Sequence, residues 1–404
     1  MPTAYTYLTE DHLRLRRQAQ DFGRDVINPC VPRMEAAGTH TDLELPRQMG
    51  ALGWCGLIIG PEYGGQGKGH LAKSILLCET SYFSGAAGGI LQASYIPTVV
   101  ILYLGSQEQK QLWLPQIAAG LWTAIAVTEP DSGSHVLGMD GTARRRGKYW
   151  IINARKCFIG NSGVAGLFVV VVRTGKRGQP QSLSAFLVEA DRDGIEVSQP
   201  DLVGMHGFTA GDVRLREVRV PATHLLGRVG DGLAAAYTAS VVCGRPNLAA
   251  VACGLHRRLM AETTAFLDNR SRNNRKLSDN PVVRNRLADM KSRLMAAERL
   301  AYDATHLLDE GIPCDAELVN SKLINNQAAV ASLRDASSLH GGYATRTDHP
   351  ITRLMRDVQH VEAPAGPDDI QRLRLSEAAL GADRVQWSAD FIRRTTRPSV
   401  TTAA

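Results

Sequence analysis

The stretch AVTEPDSGSH, residues 126–135, overlaps the end of an apolar run at Leu121–Val127, and the character of the chain changes here. An apolar run that leads into Thr128 and the polar group DSGS predicts a strand that ends in a tight turn. Gly133 lets the backbone approach a ligand closely, and the neighbouring Ser and Thr residues supply hydroxyl and N–H groups. Taken alone, the stretch is equally well explained as a solvent-exposed loop, so its interpretation depends on the sequence around it.

The composition is that of an ordinary globular protein, since 44% of the 404 residues are apolar and 21% are charged. The longest apolar run, Leu167–Val172, has the length of a strand, so we expect no membrane span. The N-terminus lacks the apolar segment of a secretory signal, and seven cysteines favour free thiols, which together predict a cytoplasmic protein. The net charge of +6 is spread out and only 6% of residues are aromatic, which argues against nucleic-acid binding.

The chain divides into regions of different periodicity. Residues 1–120 predict helices, and Thr9 is the expected N-cap of the first one. Residues 121–222 contain short β-branched and aliphatic runs between turns, which predict an all-β unit resembling a sandwich or a barrel. Residues 223–390 predict long helices packed as a four-helix bundle, and 391–404 form a polar tail. The predicted fold class is α+β, mostly α.

This order of units resembles the acyl-CoA dehydrogenase family over essentially the whole chain. Several segments that are similar to family motifs occur in the family's order: PEYGGQG (61–67), YLGSQEQKQLWLPQIAAG (103–120), AVTEPDSGS (126–134), INARKCFIGN (152–161), HGGY (340–343) and PITRLMRD (350–357). Each segment alone is weakly specific, whereas their common order identifies the chain as a member of the family.

The resemblance implies a cofactor, a substrate class and an assembly. The family binds FAD between the β unit and the bundle, usually in a homotetramer, and desaturates acyl thioesters. We therefore expect FAD, an acyl thioester of coenzyme A or of a carrier protein, and a homo-oligomer, either a dimer or a tetramer; no metal is implied. The residues that match cofactor positions are Ala126, Val127, Thr128, Gly133, Ser134, Phe158, Ile159, Gly160, Arg270, Ser338, Gly341 and Gly342.

Some matched residues carry particular roles in the family. Phe158 takes the place of a tryptophan that stacks near the flavin ring, and Arg270 matches an arginine that reaches the FAD of a neighbouring subunit. Ser134 and Arg245 match positions beside the substrate.

The sequence departs from the family where the family carries its base. Desaturation needs a group that accepts the α-proton while the flavin accepts hydride from the β-carbon. The usual glutamate position is Ala365, and the alternative position before the arginine of the first bundle helix is Gly244. Glu362 is the candidate substitute base, although Pro364 disturbs a helical register between it and Ala365. The departures extend to the cofactor, because Gly160 replaces a hydroxyl near flavin N5 and Ser338 replaces a glutamine.

These departures leave three hypotheses. The first is a flavoenzyme that oxidises an unusual acyl or carrier-bound substrate in specialised metabolism; a substrate with its own carboxylate would lose carbon dioxide in place of a proton. The second is a flavin monooxygenase or oxidase on the same fold. The third is a subunit without a base that serves a heteromeric acyl-CoA dehydrogenase.

Overall fold

The computed structural model describes residues 5–38, 43–382 and 385–395. The N-terminal helices are α1 (Glu10–Phe22), α2 (Asn28–Ala37), α3 (Glu44–Ala51), α4 (Gly69–Phe83), α5 (Gly85–Leu104) and α6 (Gln107–Ala118), with a π-helical segment, Gly23–Ile27, between α1 and α2. Thr9 caps α1 as predicted, and Ser106 caps α6 in the same way by accepting the backbone N–H three residues later. α5 is apolar enough to cross a membrane by composition, but 89% of that stretch is buried inside the protein. It is the central helix of this unit.

The β unit follows directly. Its strands are β1 (Thr123–Ala126), β2 (Thr142–Arg146), β3 (Tyr149–Gly160), β4 (Leu167–Arg173), β5 (Leu183–Glu189), β6 (Ile195–Ser198), β7 (Ala210–Pro221) and β8 (Leu225–Leu226). They form one sheet in the order β6-β7-β3-β2-β4-β5-β8, and β1 pairs with β4 in parallel. The strand predicted from the apolar run at Leu121–Val127 is present as β1, and the short aliphatic runs of residues 121–222 form strands between turns.

The position of β4 between two cores explains why its sequence is apolar without interruption. Phe168, Val170 and Val172 belong to a core inside the β unit, while Leu167, Val169 and Val171 belong to the main core shared with the helices. Successive side chains of a strand point to opposite faces, so a strand with a core on each face has no polar side. The β unit is therefore packed against the helices through β4.

The C-terminal helices are α7 (Gly232–Thr238), a π-helical segment (Ala239–Gly244), α8 (Arg245–Asp268), α9 (Pro281–Asp309), α10 (Asp315–His340), α11 (Pro350–Gln359), α12 (Asp368–Ala379) and α13 (Trp387–Thr395), with a short hairpin of β9 (Ser271–Arg272) and β10 (Arg275–Lys276) after α8. α8, α9 and α10 pack on one another, and α12 packs on α10. A mostly helical protein with a central sheet and a C-terminal helical bundle confirms the predicted fold class.

Two details differ from the sequence expectation. The predicted helical region ends in two short helices, α12 and α13, and not in a long helix. Residues 391–395 belong to α13 and are not part of a polar tail, because Phe391 is buried and packs into the main core. The remainder of the predicted tail, 396–404, lies outside the described residues.

Candidate active site

The turn predicted after β1 is formed. The backbone groups of Glu129 and Ser132 bond to each other in both directions at 3.1 Å, and the Ser132 hydroxyl donates to the carbonyl oxygen of His135 at 2.7 Å. Among the described residues, no atom beyond the chain neighbours lies within 4 Å of the point where a Cβ on Gly133 would stand. The loop surface at Gly133 is therefore open to a ligand.

A buried ion pair fixes this loop against β3. Nζ of Lys156 lies 2.8 Å from Oε1 of Glu129 and 2.9 Å from the carbonyl oxygen of Val127, and Lys156 is 0% exposed. The Glu129 carboxylate also accepts the backbone N–H groups of Asp140 and Gly141. Burial lowers the pKa of Lys156, and the nearby Glu129 opposes that effect. Because a buried charge is stable only with partners, these contacts hold the loop in one position.

Phe158 lies beside this loop on an irregular part of β3. The pairing of β3 with β7 shifts register between Lys156 and Ile159, and Phe158 has a φ of 57° within that bulge. The N–H of the preceding Cys157 donates to the carbonyl oxygen of Thr128 at 3.0 Å, which places the bulge next to the loop. The Phe158 side chain is 71% exposed although it is aromatic and large.

The loop and the bulge fit a planar aromatic cofactor. The hydrogen bond from Cys157 to Thr128 places the segment 126–128 beside the segment 158–160, both of which the resemblance assigns to the cofactor. An exposed aromatic ring next to a fixed loop with an open backbone is a surface that an isoalloxazine ring would cover, since buried aromatic surface is favourable.

The packing around Gly160 leaves little room for the hydroxyl-bearing side chain that the resemblance leads us to expect at this position. A Cβ on Gly160 would stand 2.9 Å from Cζ of Phe208 and 3.2 Å from Cβ of Ala93. The first distance is too short for carbon atoms in contact, so a side chain at this position and the ring of Phe208 exclude each other.

Gly244 and Ala365, the two positions where the resemblance places a base, are adjacent in the structure. A Cβ on Gly244, at the end of the π-helical segment, would stand 3.1 Å from Cβ of Ala365 and 3.9 Å from Cδ1 of Ile96 on α5. The two positions that the resemblance assigns to the base are therefore adjacent, and neither residue has a side chain that accepts a proton.

The segment that contains Ala365 is held by its main chain. Lys322, on α10, donates to the carbonyl oxygen of Glu362 at 2.8 Å and to that of Gly366. Gln371 donates to the carbonyl oxygens of Ala365 at 3.2 Å and Gly366 at 2.7 Å. Lys322 is 1% exposed, and burial together with the nearby Arg245 lowers its pKa to about 7. By contrast, Glu362 is exposed and is held through its carbonyl, so its role as a base stays a prediction.

Arg245 lies between this segment and a cavity. Its Nε donates to the carbonyl oxygen of Ala365 at 3.4 Å, and the residue is 3% exposed. Burial and the neighbouring Arg374 lower the pKa of Arg245 to about 10. The cavity, of about 320 Å³, is also lined by Tyr237 and Asp315. A buried guanidinium beside the vacated base positions is suited to an anionic or carbonyl-bearing substrate.

The remaining residues that the sequence predicts to bind the cofactor form a second cluster at the end of α8. The guanidinium carbon of Arg270 lies 4.0 Å from the ring centre of Tyr343 and 4.6 Å from that of Phe266. Gly341, with a φ of 56°, and Gly342 precede Tyr343 on an open turn. The Ser338 hydroxyl accepts a hydrogen bond from Nη1 of Arg286 at 2.6 Å. Within the described residues, no hydrogen bond, ion pair or ring contact joins this cluster to the loop at Gly133.

Sequence reasoning missed three residues. Lys322 lies three residues after Val319 and four residues after Leu318, on the buried face of α10. A lysine at this spacing from apolar residues indicates a buried cation and could have been noticed in the sequence. Lys156 was inside a matched segment but carried no pattern of its own. Phe208 gave no signal, because its contacts are with Gly89 on α5 and Gly160 on β3, both distant in sequence.

The fold and the site define a flavin-dependent oxidoreductase. Family models match the N-terminal domain (residues 9–121), middle domain (124–218) and C-terminal domain (230–380) of acyl-CoA dehydrogenases. The chain belongs to the acyl-CoA dehydrogenase family, its cofactor is FAD, and its reaction is an oxidoreduction at a CH–CH group.

The chain is similar to proteins of known identity along most of its length. It is 32% identical to an acyl-CoA dehydrogenase of Bacillus subtilis over 93% of this chain and 99% of that protein. The structure of butyryl-CoA dehydrogenase from Megasphaera elsdenii superposes with a TM-score of 0.89 at 26% identity, covering 93% of this chain and 100% of that one. An FAD complex of PigA superposes with a TM-score of 0.87 at 25% identity, covering 94% and 99%.

Proposed function

We propose that this enzyme oxidises the acyl group of a coenzyme A or carrier-protein thioester without a carboxylate base from the protein. The observation that carries the proposal is the convergence of Gly244 and Ala365, whose Cβ positions are 3.1 Å apart and which offer no proton acceptor. A substrate with a carboxylate on the carbon next to the thioester carbonyl needs no such acceptor. The enzyme is proposed to act in the cytoplasm as a homo-oligomer; no disulfide joins the cysteines of the described residues.

The reaction balances without proton removal. The bond between the α-carbon and the carboxylate breaks, carbon dioxide leaves, and the electron pair stays on the α-carbon as an enolate. That pair forms the α,β double bond as hydride leaves the β-carbon. Bound FAD supplies the acceptor for this hydride. The products are an enoyl thioester, carbon dioxide and reduced flavin.

The protein's part in this reaction is positioning and exclusion of water. The Lys156–Glu129 pair fixes the loop at Thr128, and Lys322 and Gln371 fix the segment at Ala365. Arg245 places a buried positive charge next to Ala365, where an anionic substrate group would bind. Ile96 and Ala365 are apolar and partly exposed, and an acyl group bound against them would keep water from the reacting carbons, which favours loss of the carboxylate.

The test compares matched thioesters. Ethylmalonyl-CoA added without oxygen to the purified holoprotein should bleach the flavin spectrum and release about one carbon dioxide per flavin reduced. Butyryl-CoA, which lacks the carboxylate, should leave the flavin oxidised. Rapid reduction by butyryl-CoA with no carbon dioxide would contradict the proposal, as would flavin-free protein that is active only with another subunit.

Restoring the base gives a sharper comparison. Ala365 already carries a Cβ at its φ of 56°, so Ala365→Glu adds a carboxylate without a new backbone strain. In this variant the rate at which butyryl-CoA reduces the flavin should rise by at least about a hundredfold, which is the lower end of the usual contribution of a general base. Ala365→Gln has the same size but cannot accept the proton, and it should remain inactive. Equal activity of the two variants would show that the base is not what the enzyme lacks.

An oxidase or monooxygenase is the second candidate, because Gly160 removes the hydroxyl near flavin N5 and Phe208 fills its place. Reduced protein mixed rapidly with oxygen should then form a transient peroxyflavin-like absorbance. Slow, featureless reoxidation would exclude a monooxygenase.

A further inference from the structure

One face of α5 runs from the flavin side of the site to the vacated base positions. Gly89, Ala93 and Ile96 are spaced by four and three residues and share this face. Ala93 adjoins Gly160, and Ile96 adjoins Gly244. The face spans about 10 Å at 1.5 Å per residue. An acyl chain held between flavin and base positions would lie along it.

The ring of Phe208 occupies the Gly89 end of this face. A Cβ on Gly89 would stand 3.2 Å from Cγ of Phe208, and one on Gly160 would stand 2.9 Å from its Cζ. The ring is therefore wedged between α5 and β3, and it is 7% exposed.

The backbone before Phe208 is fixed as well. The N–H of Phe208 donates to the carbonyl oxygen of Met205 at 3.0 Å, which closes a turn before β7. The N–H of Met205 donates to Oδ1 of the buried Asp357 on α11 at 2.6 Å. Because both the turn and the ring are confined, the ring cannot move aside to admit a long chain without disturbing packed groups.

From this geometry we propose that Phe208 is a specificity-determining residue whose ring closes the Gly89 end of this α5 face and restricts the enzyme to short acyl groups. The proposal rests on the proposed function for the identity of the substrate class, an acyl thioester. It adds the size of the acyl group and names the side chain that sets it.

The experiment measures binding, so that it does not depend on turnover. 3-Thiaacyl-CoA ligands have sulfur in place of the β-carbon and cannot yield hydride, so calorimetry measures their binding without turnover. Titration of the holoprotein with four-carbon and eight-carbon ligands should give a clear preference for the shorter one. Phe208→Ala should raise relative affinity for the longer ligand by about 10–200-fold, the range expected when even one methylene is newly accommodated.

Phe208→Leu keeps an apolar side chain and provides a variant that folds if Phe208→Ala does not. Phe168→Leu is the matched control, since Phe168 is a buried phenylalanine of the same β unit that packs in its interior core. It should lower the melting temperature without changing the chain-length preference. An unchanged preference in the Phe208 variants, or an equal change in the control, overturns the proposal.

A second measurement is the thermal unfolding of the holoprotein. Gly160→Ser should lower the melting temperature in the wild-type chain, because the new side chain meets the ring of Phe208, and should cost much less in Phe208→Ala. Additive losses would show that the ring does not fill this space. If no thioester reduces the flavin while the chain-length effects persist, the proposed function fails and the role of Phe208 stands.

Discussion

Lys322 shows how one residue supports the segment where a base is absent. It is a buried cation whose hydrogen bonds go to main-chain carbonyls, and its pKa is lowered to about 7 by burial and by Arg245. An unfolded lysine has a pKa of about 10.4. Between these values the unfolded chain binds more protons than the folded chain, so this residue makes stability rise with pH.

We predict that the free energy of unfolding of the wild type, relative to Lys322→Met, increases by about 2 kcal/mol between pH 7 and pH 9. Denaturant titrations of both proteins at the two pH values measure the difference, and ionisations common to both cancel. Lys322→Met should be less stable at both, because the carbonyl oxygens of Glu362 and Gly366 lose their donor. A difference independent of pH would show that Lys322 remains charged in the folded protein.

At the scale of elements, the site is formed by short helical segments that pack against the long helices. The π-helical segment Ala239–Gly244 interrupts the path from α7 to α8 and ends at the position that faces Ala365. α13 is attached next to it, where Trp387 stacks on Tyr237 with ring centres 5.3 Å apart. The first turn of α13 is held by Asp315 of α10, which accepts the N–H groups of Trp387 and Ser388 at 2.7 and 2.8 Å.

Asp315→Ala should therefore loosen α13 more than the rest of the bundle. Loss of this cap is expected to cost about 1 kcal/mol and to speed amide hydrogen exchange in α13 by roughly fivefold. Asp369→Ala is the matched control, because Asp369 is also in the first turn of a helix but is exposed and makes no capping bond. Equal exchange in α13 for both variants would contradict the capping role.

For the whole molecule, the informative feature is that the residues predicted to bind the cofactor lie in two separate clusters. The exposed Phe158 needs a covering surface, and the Arg270 cluster presents a cation and an open glycine turn elsewhere on the chain. A closed symmetric oligomer can bring one cluster of each chain to the other cluster of its neighbour.

Mixed oligomers test this arrangement. Arg270→Met and Phe158→Asp should each bind FAD poorly when expressed alone. When the two variants are co-expressed and mix at random, about a quarter of the sites should combine an intact Phe158 from one chain with an intact Arg270 from its neighbour and bind FAD. Occupancy equal to the average of the separate variants would show that each chain holds its FAD alone. FAD absorbance per chain in the purified mixture is the measurement.

Much of the site could be predicted from the sequence because it lies in contiguous segments. The loop at Thr128 and Gly133, the strand with Phe158 and the turn at Gly341 each keep a local order that a family motif records. Local backbone geometry is set mostly by neighbouring residues, so such segments can be recognised without tertiary information.

The sequence by itself determined the family, the cofactor and the fact that Ala365 and Gly244 cannot accept a proton. Only the tertiary structure decided that these two positions meet, that Phe208 fills the place left by Gly160, and that Lys322 and Lys156 are buried with polar partners. These facts are contacts between residues distant along the chain. Such contacts are fixed by how the sheet and the helices pack, and no local pattern of residues records them.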